Sequence, residues 1–215
     1  MNQNWPKSID TGLLCITEDQ INYRAQAIVE LLIDDDLTDK KFLDFGCQND
    51  SVVIYSKRHT SVSVGYGNLM PESKCENTIL TNSFEKASEH GPFDVILAFD
   101  VIDHIEDPEF AMSQIFNLIK YTGKVYLRTH PWSSRHATHD SRNLAYIHLF
   151  EQNQGIFHNK IQNYETLIEQ SGFKIIKVRK TIETIESFFS SVDLKDTPGV
   201  IQYADYLIQK NIRWF

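Results

Sequence analysis

Cysteine is scarce in this sequence, with only Cys15, Cys47 and Cys75 among its 215 residues. The three lie far apart, their number is odd, and no two of them form a Cys-x-x-Cys pair. This pattern argues against a disulfide framework or a zinc knuckle as the basis of the fold, and it fits a reducing cytosol.

Long apolar runs are also missing. No stretch approaches the ~20 consecutive apolar residues that a membrane-spanning helix needs. The first ten residues, MNQNWPKSID, have no apolar core of the kind that secretion signals contain. We therefore expect a soluble, cytoplasmic protein with no membrane partner.

Basic charge is low relative to acidic charge. The chain has 21 Lys and Arg against 29 Asp and Glu, which gives a formal net charge of −8. A chain this acidic is a poor general binder of polyanions, so the composition disfavours nucleic acid as a partner. The oligomeric state is left open.

The distribution of apolar residues predicts one α/β domain over residues 1–215, with an N-terminal arm and a helix in residues 1–40. The arm itself, residues 1–16, looks irregular. Seven segments have the length and apolar content of strands: 41–45, 61–66, 77–80, 93–99, 124–129, 173–178 and 200–208. Helices are predicted in several connections: 21–32, 52–57, 83–90, 144–150 and 164–170. For 144–150 a strand is the alternative.

The clearest pattern lies in residues 93–132. A nearly continuous apolar run over 93–99 predicts a parallel strand that is buried on both faces. Asp107 can cap the helix that follows, and Glu109 suits the positive end of its dipole. The predicted apolar stripe of this helix consists of Phe110, Met112, Ile115, Phe116, Leu118 and Ile119.

The end of this helix is predicted at Thr122 and Gly123, with a strand over 124–129 after it. The unit then reads as a right-handed βαβ crossover. In such sheets ligands bind beyond the carboxyl ends of the strands, which places residues 100–105 and 129–139 on the functional side.

Residues 93–132, FDVILAFDVIDHIEDP and the sequence after it, resemble the class I, Rossmann-like methyltransferases that depend on S-adenosylmethionine. Many members have an acidic residue and a His where this chain has Asp103 and His104. The resemblance covers roughly residues 41–179. It implies a three-layer sandwich with a mostly parallel seven-stranded sheet, an antiparallel last strand, and S-adenosyl-L-methionine as the cofactor.

The turn after the first core strand is where the family places its cofactor. Relatives have an acidic-x-Gly-x-Gly-x-Gly pattern there, whose glycines let the backbone approach the methionine part of the cofactor. Asp44 and Gly46 match this pattern, whereas Gln48 and Asp50 stand at the positions of later glycines. The resemblance thus assigns Asp44, Gly46, Cys47 and Gln48 to the cofactor. The alternative is a strand–turn–helix junction without a ligand.

The rest of the implied cofactor site comes from the next three strand ends. Relatives hold the ribose with an acidic residue after the second strand; this chain has none there, and Asn68 could form one such hydrogen bond. Ser83 and Phe84 stand where relatives contact the adenine, or they simply start a helix and fill the core. The backbone around Phe99 and Asp100 is implied at the amino acid end of the cofactor.

Histidines supply the candidate bases, because His titrates near neutral pH and can take a proton from a hydroxyl or an amine. His104 follows the fourth strand, and His130, His136 and His139 lie in the loop after the fifth. In many relatives the counterpart of His104 instead ties its loop down with a hydrogen bond.

The His-rich loop is open to three interpretations. It could form an acceptor pocket, with Arg135 for a substrate anion and Trp132 as an apolar wall. It could bind a divalent metal through His136, His139 and Asp140, but no fourth ligand is identifiable. It could also be a solvated loop. We predict no metal site.

We predict methyl transfer to an oxygen or nitrogen of a small molecule or a sugar. The motifs of DNA methyltransferases are absent, both the Asn/Asp-Pro-Pro-aromatic signature and the Pro-Cys nucleophile. The alternative is a catalytically degenerate relative that acts as a binding or partner protein, which Gln48 and Asp50 suggest. A nucleotide-dependent oxidoreductase fits less well, because no Gly-x-Gly-x-x-Gly follows the first strand.

Overall fold

The computed structural model describes residues 9–10, 15–16, 39–47, 61–67, 78–99, 101–129, 159, 161, 163–184 and 200–211. Near the N-terminus, β1 (Ile9–Asp10) pairs with β2 (Cys15–Ile16) in antiparallel orientation. The arm that was predicted to be irregular therefore contains a short β ladder. The predicted helices over 21–32, 52–57 and 144–150 lie outside the described residues.

The main sheet has seven strands: β3 (Lys41–Phe45), β4 (Val62–Tyr66), β5 (Thr78–Thr81), β6 (Phe93–Phe99), β7 (Ile119–Thr129), β8 (Phe173–Thr184) and β9 (Val200–Lys210). Their order is β5-β4-β3-β6-β7-β9-β8. β3 is parallel to β4 and β6, and β4 is parallel to β5, whereas β9 is antiparallel to β7 and β8. This confirms the predicted Rossmann-like sheet, mostly parallel with an antiparallel last strand.

The helices in the described part of the chain are α1 (Phe84–Ser88), α2 (Pro108–Leu118) and α3 (Tyr164–Gln170), and a single 3-10 turn spans Ile102–His104. None of the helices within these ranges is long and apolar enough to cross a membrane. The chain divides into two compact units, Met1–Leu97 with Leu118–Lys124 and Ala98–Asn117 with Val125–Phe215. That residues 1–215 form one domain stays a prediction.

In the first unit, β3 and the first five residues of β6 supply the core. Four of the five residues of β3 are buried, and Phe93, Val95, Ile96 and Leu97 of β6 are at most 5% exposed. Strands that are covered on both faces have this composition. The exception is Asp94, which receives hydrogen bonds from Lys120 Nζ at 2.8 Å and from the Lys41 amide at 2.9 Å. Burial acts to raise the pKa of Asp94, but these bonds and the charge of Lys120 hold the pKa below its usual value.

The end of α2 corrects the sequence prediction. The helix stops at Leu118 rather than at Gly123, and β7 already begins at Ile119, which is buried. Gly123 lies inside this strand, where a Cβ would come within 2.7 Å of the Ile119 side chain and 2.9 Å of Asp94 O. Its glycine therefore permits a close approach between strands and does not terminate a helix.

In the second unit, α2 begins after its predicted cap, and α3 has the predicted bounds, Tyr164–Gln170. Asp107 Oδ1 accepts a hydrogen bond from the Phe110 amide at 2.9 Å, and Asn163 Oδ1 accepts one from the Thr166 amide at 3.2 Å. The apolar stripe of α2 was partly wrong: Phe110 is 59% exposed, and Ala111 is buried in its place.

Candidate functional site

The turn after β3 folds back onto the end of β4. Gly46 has a φ of +85°, a conformation that side chains disfavour. The amides of Gly46 and Cys47 both donate to Tyr66 O, at 2.7 and 3.0 Å. These two N–H groups are therefore used inside the protein and are not available to hold an anion.

Gly67, directly after β4, lets the two strand ends approach each other. Its amide donates to Thr81 O at 3.1 Å, so it also joins β4 to β5. A Cβ at this position would lie 2.1 Å from Cys47 O, which no side chain can accommodate. From the sequence, Gly67 reads only as a turn residue after the second strand, because the contact with Cys47 O that requires a glycine is not visible there.

Asp44 contributes a buried carboxylate near the carboxyl end of β3, in the first unit. It is 8% exposed and lies in register with Gly65 of β4 and Leu97 of β6. Burying a charged group among apolar strands costs free energy unless partners compensate for it. The position is therefore better explained by a functional or polar contact than by core packing.

Three aromatic rings form a row across the same unit. Phe45 and Tyr66 meet edge to face with centroids 5.3 Å apart, and Tyr66 and Phe84 do so at 6.1 Å. Burial, with the charge of Glu85 as a second cause, raises the pKa of the Tyr66 phenol. Phe84, which the resemblance places near the adenine, is thus joined by ring contacts to the last residues of β3 and β4.

Ser83 has a structural role that the sequence left open. It is the N-cap of α1: its Oγ accepts a hydrogen bond from the Lys86 amide at 3.2 Å and donates one to Glu85 Oε2 at 2.8 Å. Hydrogen bonds from the backbone and from Ser83 lower the pKa of Glu85. Contact of Ser83 with an adenine stays a prediction.

The turn after β6, in the second unit, has the His that was predicted as a base. The imidazole of His104 is 29% exposed, and its Nε2 lies 3.8 Å from Oδ2 of Asp103, which is longer than a hydrogen bond. Asp103 itself is 1% exposed. The turn is a single 3-10 turn, closed by a bond from the His104 amide to Val101 O at 3.0 Å.

Asn159 holds this turn from outside, a role that the sequence did not predict. Its amide donates to Asp103 O at 2.9 Å, and its Nδ2 donates to Ile102 O at 2.6 Å and to Ile105 O at 3.2 Å. Its Oδ1 accepts a hydrogen bond from Tyr164 Oη at 3.0 Å. The stretch 152–162 reads only as polar and ambiguous, because the three carbonyls that Asn159 binds lie more than 50 residues away in sequence.

Phe99, the last residue of β6, packs against a buried cation. The guanidinium of Arg128 lies 4.9 Å from the centre of its ring, and Arg128 is fully buried. Arg128 Nε donates to Asp205 Oδ1 at 2.7 Å, and Asp205 Oδ2 accepts bonds from Arg179 at 3.0 and 3.1 Å. The side chain of Phe99 is thus a core element, and a role for its backbone at the cofactor stays a prediction.

The remaining predicted site residues lie outside the part of the chain that the structure describes: Gln48, Asn68, Asp100, His130, His136 and His139, with Asp50, Trp132, Arg135 and Asp140. Among the residues that are described, no group of three or more His, Cys, Asp or Glu side chains could hold a metal ion. The interpretation of the His-rich loop is therefore untested.

Comparison with known proteins identifies the family. The family model described as methyltransferase domain matches residues 17–178. The chain belongs to the methyltransferase domain family. No curated protein matches the sequence.

Solved methyltransferases share the fold at low sequence identity. A SAM-dependent methyltransferase from Anabaena variabilis superposes with a TM-score of 0.64 at 16% identity, over 88% of this chain and 86% of that one. The 1,6-didemethyltoxoflavin-N1-methyltransferase of Burkholderia thailandensis gives 0.58 at 12% identity, over 90% and 80%. The magnesium protoporphyrin IX methyltransferase of Synechocystis gives 0.56 at 14%, over 87% and 83%. Both of the latter contain S-adenosylhomocysteine.

Proposed function

We propose that the protein is a methyltransferase that uses S-adenosyl-L-methionine and methylates an oxygen or nitrogen of a small molecule or a sugar. The observation that carries this proposal is the family match over residues 17–178. The S-adenosylhomocysteine in two relatives of the same fold supports the choice of cofactor, because it is what S-adenosylmethionine becomes when its methyl group is transferred.

The turn after β3 fits the proposed cofactor. Gly46 adopts a left-handed conformation, and the missing side chain of Gly67 brings the turn close to the end of β4, so bare backbone lies at this edge. We propose that the cofactor contacts the residues that the resemblance assigns to it: Asp44, Gly46, Cys47, Gln48, Asn68, Ser83 and Phe84, and also Phe99 and Asp100.

The chemistry asked of the protein's own residues is modest. When bound, S-adenosylmethionine supplies a methyl group on a positively charged sulfur. The residues must hold the acceptor in line with that group and take the proton that a hydroxyl or amine loses. Candidates for the proton acceptor are His104, His130, His136 and His139.

A small methyl acceptor agrees with the net charge of the chain and with the acceptors named for two structural relatives. The net charge of −8 disfavours polyanionic substrates. The relative from Burkholderia binds 1,6-didemethyltoxoflavin, and the one from Synechocystis is named for magnesium protoporphyrin IX, so the fold serves acceptors of this size.

A specific observation favours a second candidate, a binding or partner protein without catalysis. Side chains at positions 48 and 50 replace glycines, and Tyr66 O occupies the amides of Gly46 and Cys47. A protein that binds S-adenosylmethionine without transferring its methyl group would fit these features.

Calorimetric titration of the full chain with S-adenosylmethionine and S-adenosylhomocysteine tests the cofactor. We expect both to bind the wild type, and binding of neither overturns the proposal. Gly46→Trp should abolish binding while the chain stays folded, whereas the control Phe110→Trp puts the same side chain at an exposed position and should bind normally. Formation of S-adenosylhomocysteine with a panel of phenols, amines and sugars separates the enzyme from the binding protein.

A further inference from the structure

We propose that Asn159 is a positioning residue that holds the turn after β6, and with it His104, in one geometry. The inference rests on the proposed function in one respect, because His104 matters for catalysis only if the protein transfers methyl groups. The hold itself follows from hydrogen bonds within the second unit.

The donor side of Asn159 spans the whole turn. Nδ2 donates to the carbonyls of Ile102 and Ile105, and the backbone amide donates to the carbonyl of Asp103. Three carbonyls within four consecutive residues, on both sides of His104, are thus fixed by one residue that is more than 50 positions away. A short 3-10 turn has weak hydrogen bonds of its own, so an external clamp of this kind sets its shape.

The acceptor side of Asn159 joins the clamp to the start of α3. Oδ1 accepts hydrogen bonds from Tyr164 Oη at 3.0 Å and from the Ile161 amide at 3.3 Å. Tyr164 is 1% exposed, so it is a rigid anchor. The amide group of Asn159 therefore has two separable halves, a donor that binds the turn and an acceptor that binds the anchor.

This division makes an aspartate substitution informative. Asn159→Asp keeps an oxygen for Tyr164 but removes both Nδ2 donations and turns a carboxylate oxygen toward two carbonyls, which repel it. Tyr164→Phe does the reverse, since it removes one bond to the acceptor half and leaves the donor half intact. Asn163→Ala is a control for simple helix destabilisation, because it removes the cap of α3 and touches nothing in the turn.

The experiment measures amide hydrogen exchange and the NMR signals of the His104 imidazole in the full chain. In Asn159→Asp we expect the amides of His104 and Ile105 to exchange roughly 30-fold faster than in the wild type, a factor that corresponds to ~2 kcal/mol. We also expect the His104 ring signals to shift. In Asn163→Ala, both should remain close to the wild type while the amides of α3 exchange faster. In Tyr164→Phe, which keeps the donor half of Asn159 and its bond from the Ile161 amide, the change at the turn should be smaller than in Asn159→Asp.

Unchanged exchange and unchanged His104 signals in Asn159→Asp would overturn the proposal, as would equal changes in Asn163→Ala, which would indicate a purely structural role. Should Asn159→Asp fail to fold, hydrogen exchange in the wild type tests the proposal. The amides of His104, Ile105 and Asn159 should then exchange at a common rate. A fast His104 amide beside a slow Asn159 amide would disprove the clamp. If the wild type binds no S-adenosylmethionine, the proposed function fails. The exchange experiment needs no cofactor, so it still tests whether Asn159 holds the turn.

Discussion

Replacement of Gly67 by alanine tests the contact between the turn after β3 and the end of β4. The new Cβ would lie 2.1 Å from Cys47 O and 3.1 Å from Cys47 N. Both atoms belong to the backbone, so no rotation of a side chain relieves the clash. Real Cβ contacts stay above 3.0 Å, and the turn must therefore move by about 0.9 Å.

The movement has a cost in stability and in binding. It strains the hydrogen bonds from the amides of Gly46 and Cys47 to Tyr66 O, which are 2.7 and 3.0 Å long. Overpacking with a backbone shift costs about 2 kcal/mol, which lowers the Tm of a chain of this length by roughly 4–8 °C. We expect the affinity for S-adenosylhomocysteine to fall at least about tenfold. This factor corresponds to the loss of one hydrogen bond between the displaced turn and the ligand.

Thermal denaturation and calorimetry with S-adenosylhomocysteine are the assays, and Val64→Ala is the matched control. Val64 is fully buried on β4, three residues before Gly67, so its truncation destabilises the core and leaves the turn in place. The control should lose stability and keep its affinity. If Gly67→Ala is destabilised and still binds as the wild type does, the turn is not the cofactor site; if it is as stable as the wild type, the close approach is wrong.

Two further predictions concern the second unit. Asp205→Asn leaves the buried charge of Arg128 without its carboxylate and should cost about 3–5 kcal/mol in urea unfolding. Arg179→Gln, which removes the half-exposed partner of the same carboxylate, should cost at most about 1 kcal/mol, and equal losses would contradict this account. Burial, with the charge of Glu165, raises the pKa of Tyr206 to about 12, above the usual value of 10.0. The unfolded chain therefore releases this proton first, so stability should fall between pH 10 and 12 and not below pH 10. Tyr206→Phe should remove the late component of the phenol absorbance titration, and a titration that keeps this component would refute the assignment.

The strands and caps were predictable because their signals are local. The apolar run over 93–99 and the bounds 41–45 are confirmed to the residue. Asp107 and Asn163 cap helices through side chains that reach only three residues ahead. Such features are decided by neighbours in sequence, so a pattern of residue types is sufficient to find them.

The errors came from contacts over long distances in sequence. α2 ends early because β7 includes Lys120, which pairs with Asp94 across 26 residues, and no helical pattern announces that pair. Asn159 was invisible for the same reason. In the candidate site, the resemblance predicted Gly46 but not Gly67, because the need for a glycine arises only when Cys47 O packs against it.

Gly67 explains how the turn after β3 packs closely although it lacks two glycines of the family pattern. In relatives, successive glycines after the first strand let the backbone come close to the cofactor. Here positions 48 and 50 have side chains, yet Gly46 and Cys47 still pack closely against the end of β4. The space for this contact comes from Gly67, which has no side chain. Close packing at this edge therefore does not require the full glycine pattern in the turn itself. The departure at Gln48 and Asp50 argues against tight binding only if their side chains occupy the cofactor's space, and the Gly46→Trp and Gly67→Ala titrations address the backbone part of the site separately from those two residues.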